Sequence, residues 1–297
     1  MTAIVEAPSI LGLRPTGVEK LPETLDRAGL SKRLGARNAG RVESGIYRKN
    51  RDPETGFLNA LEIADYSRRL AAHLERILDA NDFPLVLGGD CSVLIGSMLA
   101  LKRRGRHGLL FLDGHMDFYQ AEANVNGEAA SSELALVTGR GPALMTTYDG
   151  HCPLVADEDV VAFGFRDEHE AHAYGSQPLP PGLKALSLAE VRCFGAEAAA
   201  REAIAHVSGH GTHGYWIHFD ADVLNDEIMP AVDYRIPDGL TWAEMEAILR
   251  VALDCPKAVG MEVTILNPTL DVEGNIVRAF VEMLSRSFAA TEKIRCR

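Results

Sequence analysis

The chain has 297 residues, 46% hydrophobic and 24% charged, which is enough to bury a large core as one α/β domain or two smaller ones. Its formal net charge of -12 and its lack of basic runs argue against nucleic-acid or anionic-membrane partners, and no apolar run is long enough to span a bilayer. The first 15 residues lack the basic start and long apolar core of a secretory leader, and Cys91, Cys152, Cys193, Cys255 and Cys296 are scattered without a CxxC, so a reducing cytoplasm is the expected setting.

Residues 1–56 are mixed: an extended ILGL stretch, then GVEKLPETLDRAGL ending in a short helix, then a polar Gly/Arg/Asn-rich run. Leu61, Ala64, Leu70, Leu74 and Leu78 recur near helical spacing and predict an amphipathic helix over 58–81. PLVL (84–87) reads as a strand, with a helix from Ser92, whose hydroxyl suits an N-cap, to Arg104. A strand over 108–113 follows, then an aperiodic loop over 118–131 and a helix around 132–139. VVAFGFRD (160–167) predicts a strand, the proline-containing stretch 168–182 a loop, KALSL (184–188) a strand and 189–207 a helix. GYWIHF (214–219) is aromatic and β-branched, as a buried strand requires. A long loop reaches Thr241, which caps a helix to about Leu253, and a buried strand over 257–263 precedes a helix over 275–290. Strands and helices alternate nearly throughout and no linker or repeat interrupts them, so a single α/β domain over 1–297 with a mainly parallel sheet is expected.

Chemistry concentrates at three strand ends. The 214–219 strand runs into Asp220 and Asp222, the 108–113 strand into Asp113, His115 and Asp117, and the 84–87 strand into Gly88-Gly89-Asp90-Cys91-Ser92. Side chains two residues apart on an extended chain point the same way. In an open parallel sheet, ligands bind beyond the carboxyl ends of the strands. Converging carboxylates are costly unless a cation neutralises them. Their number suits two metals sharing bridging carboxylates, an arrangement that activates water as a nucleophile. Glu262 lies in an apolar strand, where an unpaired acid is expensive. Asp90 reads as structural, bonding backbone near the site.

GGDCS, LDGHMD, HFDADVLND and MEVTILNP, in this order across residues 84–271, resemble the ureohydrolase family of arginase, agmatinase and formiminoglutamase. The family pattern is GGDHS, DAHxD, SxDxDxxDP and EVNP. The resemblance implies a three-layer α/β/α fold, a cytoplasmic trimer or hexamer, and two divalent ions, manganese in the family. It implies hydrolysis of a C–N bond in a small guanidino compound by a hydroxide bridging the ions. Carried over by position, Asp113 and Asp220 bridge both metals, Cys91 and Asp117 complete one, and His115 and Asp222 complete the other. Glu262, with Asp117 beside the reacting centre, is expected to serve catalysis by orienting a guanidinium through a charge-assisted hydrogen bond.

The departures shape the substrate. Cys91 replaces a histidine, as in a branch acting on N-hydroxyarginine, and a thiolate shifts preference towards softer ions. His218 replaces the leading serine, and Asn225 and Asp226 replace the later Asp-Pro. Tyr119 and NGEAASSELALVTG stand where arginases carry the asparagine and histidine that serve the amino-acid end and proton transfer. In GFRDEHE (164–170), Asp167, Glu168 and His169 are candidates for holding an amino group. The expected activity is therefore hydrolysis of a guanidino or N-hydroxyguanidino compound. The alternatives are a formimino or acylated amine substrate, or a non-catalytic metal-binding member of the fold.

Overall fold

Short apolar runs become the strands of one sheet in the computed structural model, which describes residues 1–295; Cys296 lies outside the described residues. The strands are β1 (Thr2–Ala7), β2 (Arg37–Arg41), β3 (Phe83–Gly88), β4 (Gly108–Leu112), β5 (Val160–Phe163), β6 (Lys184–Leu186), β7 (Tyr215–Asp220) and β8 (Ala258–Thr264). They lie in the order β2-β1-β3-β8-β7-β4-β5-β6. Every pairing is parallel. Parallel neighbours need a crossover between them, and helices supply most of it on both faces.

Alternation along each strand divides the core in two. Leu110, Leu112, Tyr215, Ile217, Phe219, Met261 and Val263 pack with the helices Ala196–Val207, Trp242–Asp254 and Asn275–Arg295. Val86, Leu109, Phe111 and Trp216 pack with Ala60–Asp79, Val93–Lys102 and Glu133–Val137. The result is the α/β/α sandwich expected from the sequence. Thr241 caps its helix through a full capping box with Glu244.

Several local readings need correction. β1 and β2 both fall inside the segment read as mixed, and ILGL is not among the strands. β2 is an edge strand with four exposed residues, so burial left no apolar pattern to read. The stretch 168–182 opens with a short helix, Glu168–Ala173, and the 189–207 helix is two helices broken at Gly195. The strand at 160 stops at Phe163, and Leu61 faces solvent while its four partners are buried. Ser92 sits at the N-cap, but its side chain makes no cap bond; its N–H donates to Asp90 instead.

The fold sets the site by bringing β3, β8, β7 and β4 side by side. In register across them lie Val86, Glu262, His218 and Phe111, and two residues further on Thr264 pairs with Asp220. Gly89 follows the end of β3, where the Ser9 backbone crosses; a Cβ there would lie 1.8 Å from the Ser9 carbonyl oxygen. Asp90 fastens this crossing by accepting from Ser9 Oγ at 2.8 Å. The structural role read for Asp90 is the one it plays.

Candidate metal centre

The three strand ends converge. Cys91 Sγ lies 2.8 Å from Asp220 Oδ2 and 3.1 Å from Thr264 Oγ1, joining β3, β7 and β8. Asp113 Oδ1 accepts the His115 N–H at 2.7 Å, and Asp220 Oδ1 accepts the Asp222 N–H at 2.8 Å, so each acid stiffens the turn that follows it. His115 Nδ1 is 2.9 Å from Asp222 Oδ2. Two donor groups result. Asp113, His115 and Asp222 form one; Cys91, Asp113, Glu133 and His218 form the other, and within each group the donor atoms lie within 4.8 Å of one another. Asp113 belongs to both, as a carboxylate shared between two cations would.

The electrostatics ask for positive charge. Burial, and then the Asp222 charge, raise the Asp113 carboxyl above its ordinary value. Burial and Asp222 do the same more strongly at Asp220. Burial and Glu133 do so at Asp117, and burial and Asp113 at Glu133. Burial followed by the Asp220 charge holds the Cys91 thiol well above its usual range. Against these, burial disfavours the His115 imidazolium, but Asp222 and Asp113 outweigh it and raise that imidazole well above its ordinary value. Burial likewise opposes ionisation of Asp222, yet His115 more than offsets it and the carboxyl is lowered. One imidazolium cannot neutralise five carboxyls, so the buried excess of acids fits divalent ions. Asp113 Oδ2 is buried and has no hydrogen-bond partner among the described residues, and the Glu133 oxygens are buried with a second carboxyl, Asp117, against them. Such atoms are what ligands without their cation look like.

A cavity of about 370 Å³ opens above the cluster, with His115, Asp117, Asp220 and Asp222 lining it. Asp117 reaches it from a backbone with φ 43°, and Ile265 from one with φ 67°, a strained conformation for a β-branched residue. The cavity also meets Asn124, Tyr119, Tyr174 and Tyr234, together with Asp167 and Glu170. Asp167 Oδ1 accepts the Met116 N–H at 3.0 Å, and burial lifts its carboxyl to about 6. Glu168 and His169 are exposed and stay outside the cavity lining. Arg166 ties the loop after β7 in place, its Nη2 donating to the carbonyls of Asp222 and Ile236, both at 3.0 Å.

Glu262 is not where the sequence reading put it. It is fully buried and outside the cavity, 2.7 Å from His218 Nδ1, with Ser97 Oγ donating to its other oxygen. The physical reason is register. Three residues, Thr264 to Leu266, separate Glu262-Val263 from Asn267-Pro268. Counting back from Asn267-Pro268 puts Ile265 at the acid position of EVNP, and Ile265 lines the cavity. Three participants were missed. Glu133 and Glu170 sat in segments read as helix and loop, with no motif to mark them. His218 was noted only as a substitution, although its spacing of two from Asp220 was the signal.

An all-parallel α/β/α sheet with acids and histidine at its central strand ends is the architecture of a ureohydrolase. A model described as "Arginase family" matches residues 4–289, and the chain belongs to that family of hydrolases acting on amidine C–N bonds. The arginase of Brevibacillus brevis is 29% identical over 291 residues, covering 96% of this chain and 97% of the relative. The solved arginase of Bacillus caldovelox superposes with a TM-score of 0.85 at 25% identity, covering 97% of each chain. The formimidoylglutamase of Bacillus subtilis shares the fold at a TM-score of 0.73 and 18% identity, covering 98% of this chain and 87% of the other.

Proposed function

We propose that the chain hydrolyses a C–N bond of a small guanidino or N-hydroxyguanidino compound, using two divalent ions held by Cys91, Asp113, His115, Asp117, Asp220 and Asp222. The observation that carries this reading is the pair of donor groups sharing Asp113, with four of the six residues on the cavity floor. When bound, such ions lower the pKa of a water and polarise the carbon it attacks. Manganese is the first ion to test.

The side chains divide the remaining work. Asp167 and Glu170, one on each side of the helix start at Glu168, give the cavity two acids beyond the cluster and suit a cationic amine tail. Ile265, Leu13 and Ala130 form an apolar wall, which excludes water from the reacting end. No carboxylate replaces Glu262 there, so recognition of a cationic substrate passes to Asp167 and Glu170. Ala130 leaves no imidazole for proton transfer in that wall, and Asp117 is the cavity acid placed to take or give a proton.

The test is a screen of guanidino, N-hydroxyguanidino and formimino compounds with the manganese-loaded protein, reading urea, hydroxyurea and free amine separately. Turnover of a guanidino-type compound, abolished together with bound metal by Asp113→Asn, is the expected result. Undiminished turnover by metal-stripped protein would refute it.

A further inference from the structure

His218 does nothing in the mechanism above, yet its surroundings are those of a metal ligand. The ring is fully buried and stacks on Phe111, centroids 4.7 Å apart at 7°, which fixes its plane. Nδ1 lies 2.7 Å from Glu262 Oε1, and Ser97 holds the other Glu262 oxygen. A carboxylate acceptor at Nδ1 keeps the proton on that nitrogen and leaves Nε2 as a bare lone pair. That Nε2 is buried, has no hydrogen-bond partner among the described residues, and stands 3.8 Å from Asp113 Oδ2, itself an unpartnered acceptor. Two lone pairs facing each other in a dry interior repel. At 3.8 Å they are too far apart for a hydrogen bond, and a single ion at ordinary bond lengths of about 2.1 Å touches both.

We propose that His218 is a metal ligand, forming with Cys91, Asp113 and Glu133 the deeper of the two cation positions, and that Glu262 is the carboxylate that orients it. The proposal rests on the dinuclear reading above and extends its ligand set by two residues. A carboxylate on the far nitrogen of a ligating histidine sets the tautomer and strengthens the ligand. The role also explains why an acid as costly as Glu262 is buried beneath the sheet rather than in the cavity. The imidazole missing at position 91 thus returns on β7, two strands across the sheet from β3 and two residues before Asp220. One thiolate, one imidazole and two carboxylates suit a borderline ion such as cobalt or zinc better than a hard one. The position formed by Asp113, His115 and Asp222 has no sulfur and suits manganese.

Cobalt(II) added to the metal-stripped full-length protein tests this without reference to activity. Bound cobalt is counted, the near-ultraviolet thiolate-to-cobalt absorption reports Cys91, and hyperfine-shifted imidazole N–H proton resonances report ligating histidines. The unsubstituted protein should show the thiolate band and imidazole resonances from both His115 and His218. His218→Gln should weaken the thiolate-bearing site at least tenfold and remove one of the two resonances. Glu262→Gln should weaken it by about 10–100-fold with the thiolate band retained at saturation. If His218→Gln does not fold, Glu262→Gln decides by the same measurements. Unaltered affinity, band and resonances in these variants would overturn the assignment while leaving the dinuclear reading standing. Failure of the unsubstituted protein to bind cobalt at all would bring down both.

Discussion

Asp167 offers a quantitative check on the site's electrostatics, because burial lifts its carboxyl to about 6. Its side chain is buried, accepts the Met116 N–H and is raised from 3.8 to about 6, with burial the largest cause. A carboxyl whose folded-state pKa lies above its unfolded value binds protons more tightly when folded. Its contribution is therefore most favourable at low pH and is lost as pH rises through the folded pKa. The full cost, reached above pH 6, is ~3 kcal/mol at 1.36 kcal/mol per pKa unit. Asp167→Asn keeps an oxygen for Met116 and cannot ionise, so it escapes this loss. The stability of the metal-stripped variant, minus that of the metal-stripped parent, should grow by about 2 kcal/mol between about pH 4.5 and about pH 7.5. Urea unfolding at a series of pH values measures the difference, and taking it cancels the titrating groups that do not interact with Asp167. A gap that stays flat, or narrows as pH rises, would show that Asp167 is not held in a poorly solvated setting.

Other perturbations address separate parts of the structure. Cys91→His should change which divalent ion supports the highest metal content and turnover, and an identical ion profile would mean that Cys91 is not a ligand. Gly89→Ala must displace the Ser9 backbone, so a loss of about 3 kcal/mol or more is expected in denaturant unfolding. Thr241→Ala removes a capping box and should cost ~1 kcal/mol by the same assay without altering metal binding. Saturating divalent ion at a hundred times its dissociation constant should stabilise the folded protein by about 2.7 kcal/mol, read as a rise in melting temperature; no rise would argue against a cation at the cluster.

Most of the architecture was legible because buried strands announce themselves. Apolar runs at 84–87, 108–112 and 214–219 need both faces covered, and only a sheet between two helical layers does that. The edge strand β2 escaped because its residues are solvated and carry no such signature. The candidate cluster is readable in part because Asp220 with Asp222, and Asp113 with His115 and Asp117, are close in sequence; tight turns after β7 and β4, rather than the extended chain expected, bring them together. Glu133, Glu170 and the His218–Glu262 pair were not readable. Their meeting depends on which strands become neighbours and on how the 118–131 loop returns, and neither is written locally. Counted from its Glu-Val end, the fourth motif places Glu262 at the cavity; counted from Asn267-Pro268 it places Ile265 there, as the structure does. The three residues before Asn267-Pro268 carry the chain past the strand end and present Ile265 in its stead.

The strand order has a consequence for how the molecule is made. β8, the last of the described strands in chain order, is not added at an edge but lies between β3 and β7, and Cys91 reaches its partner Thr264 across 173 positions of chain. Until the segment Ala258–Thr264 has left the ribosome, the sheet has a gap where one of its central strands belongs. Joining the two parts of the sheet must wait for that segment and then proceeds through slow long-range closure, with the unpaired edges of β3 and β7 exposed to aggregation in the interval.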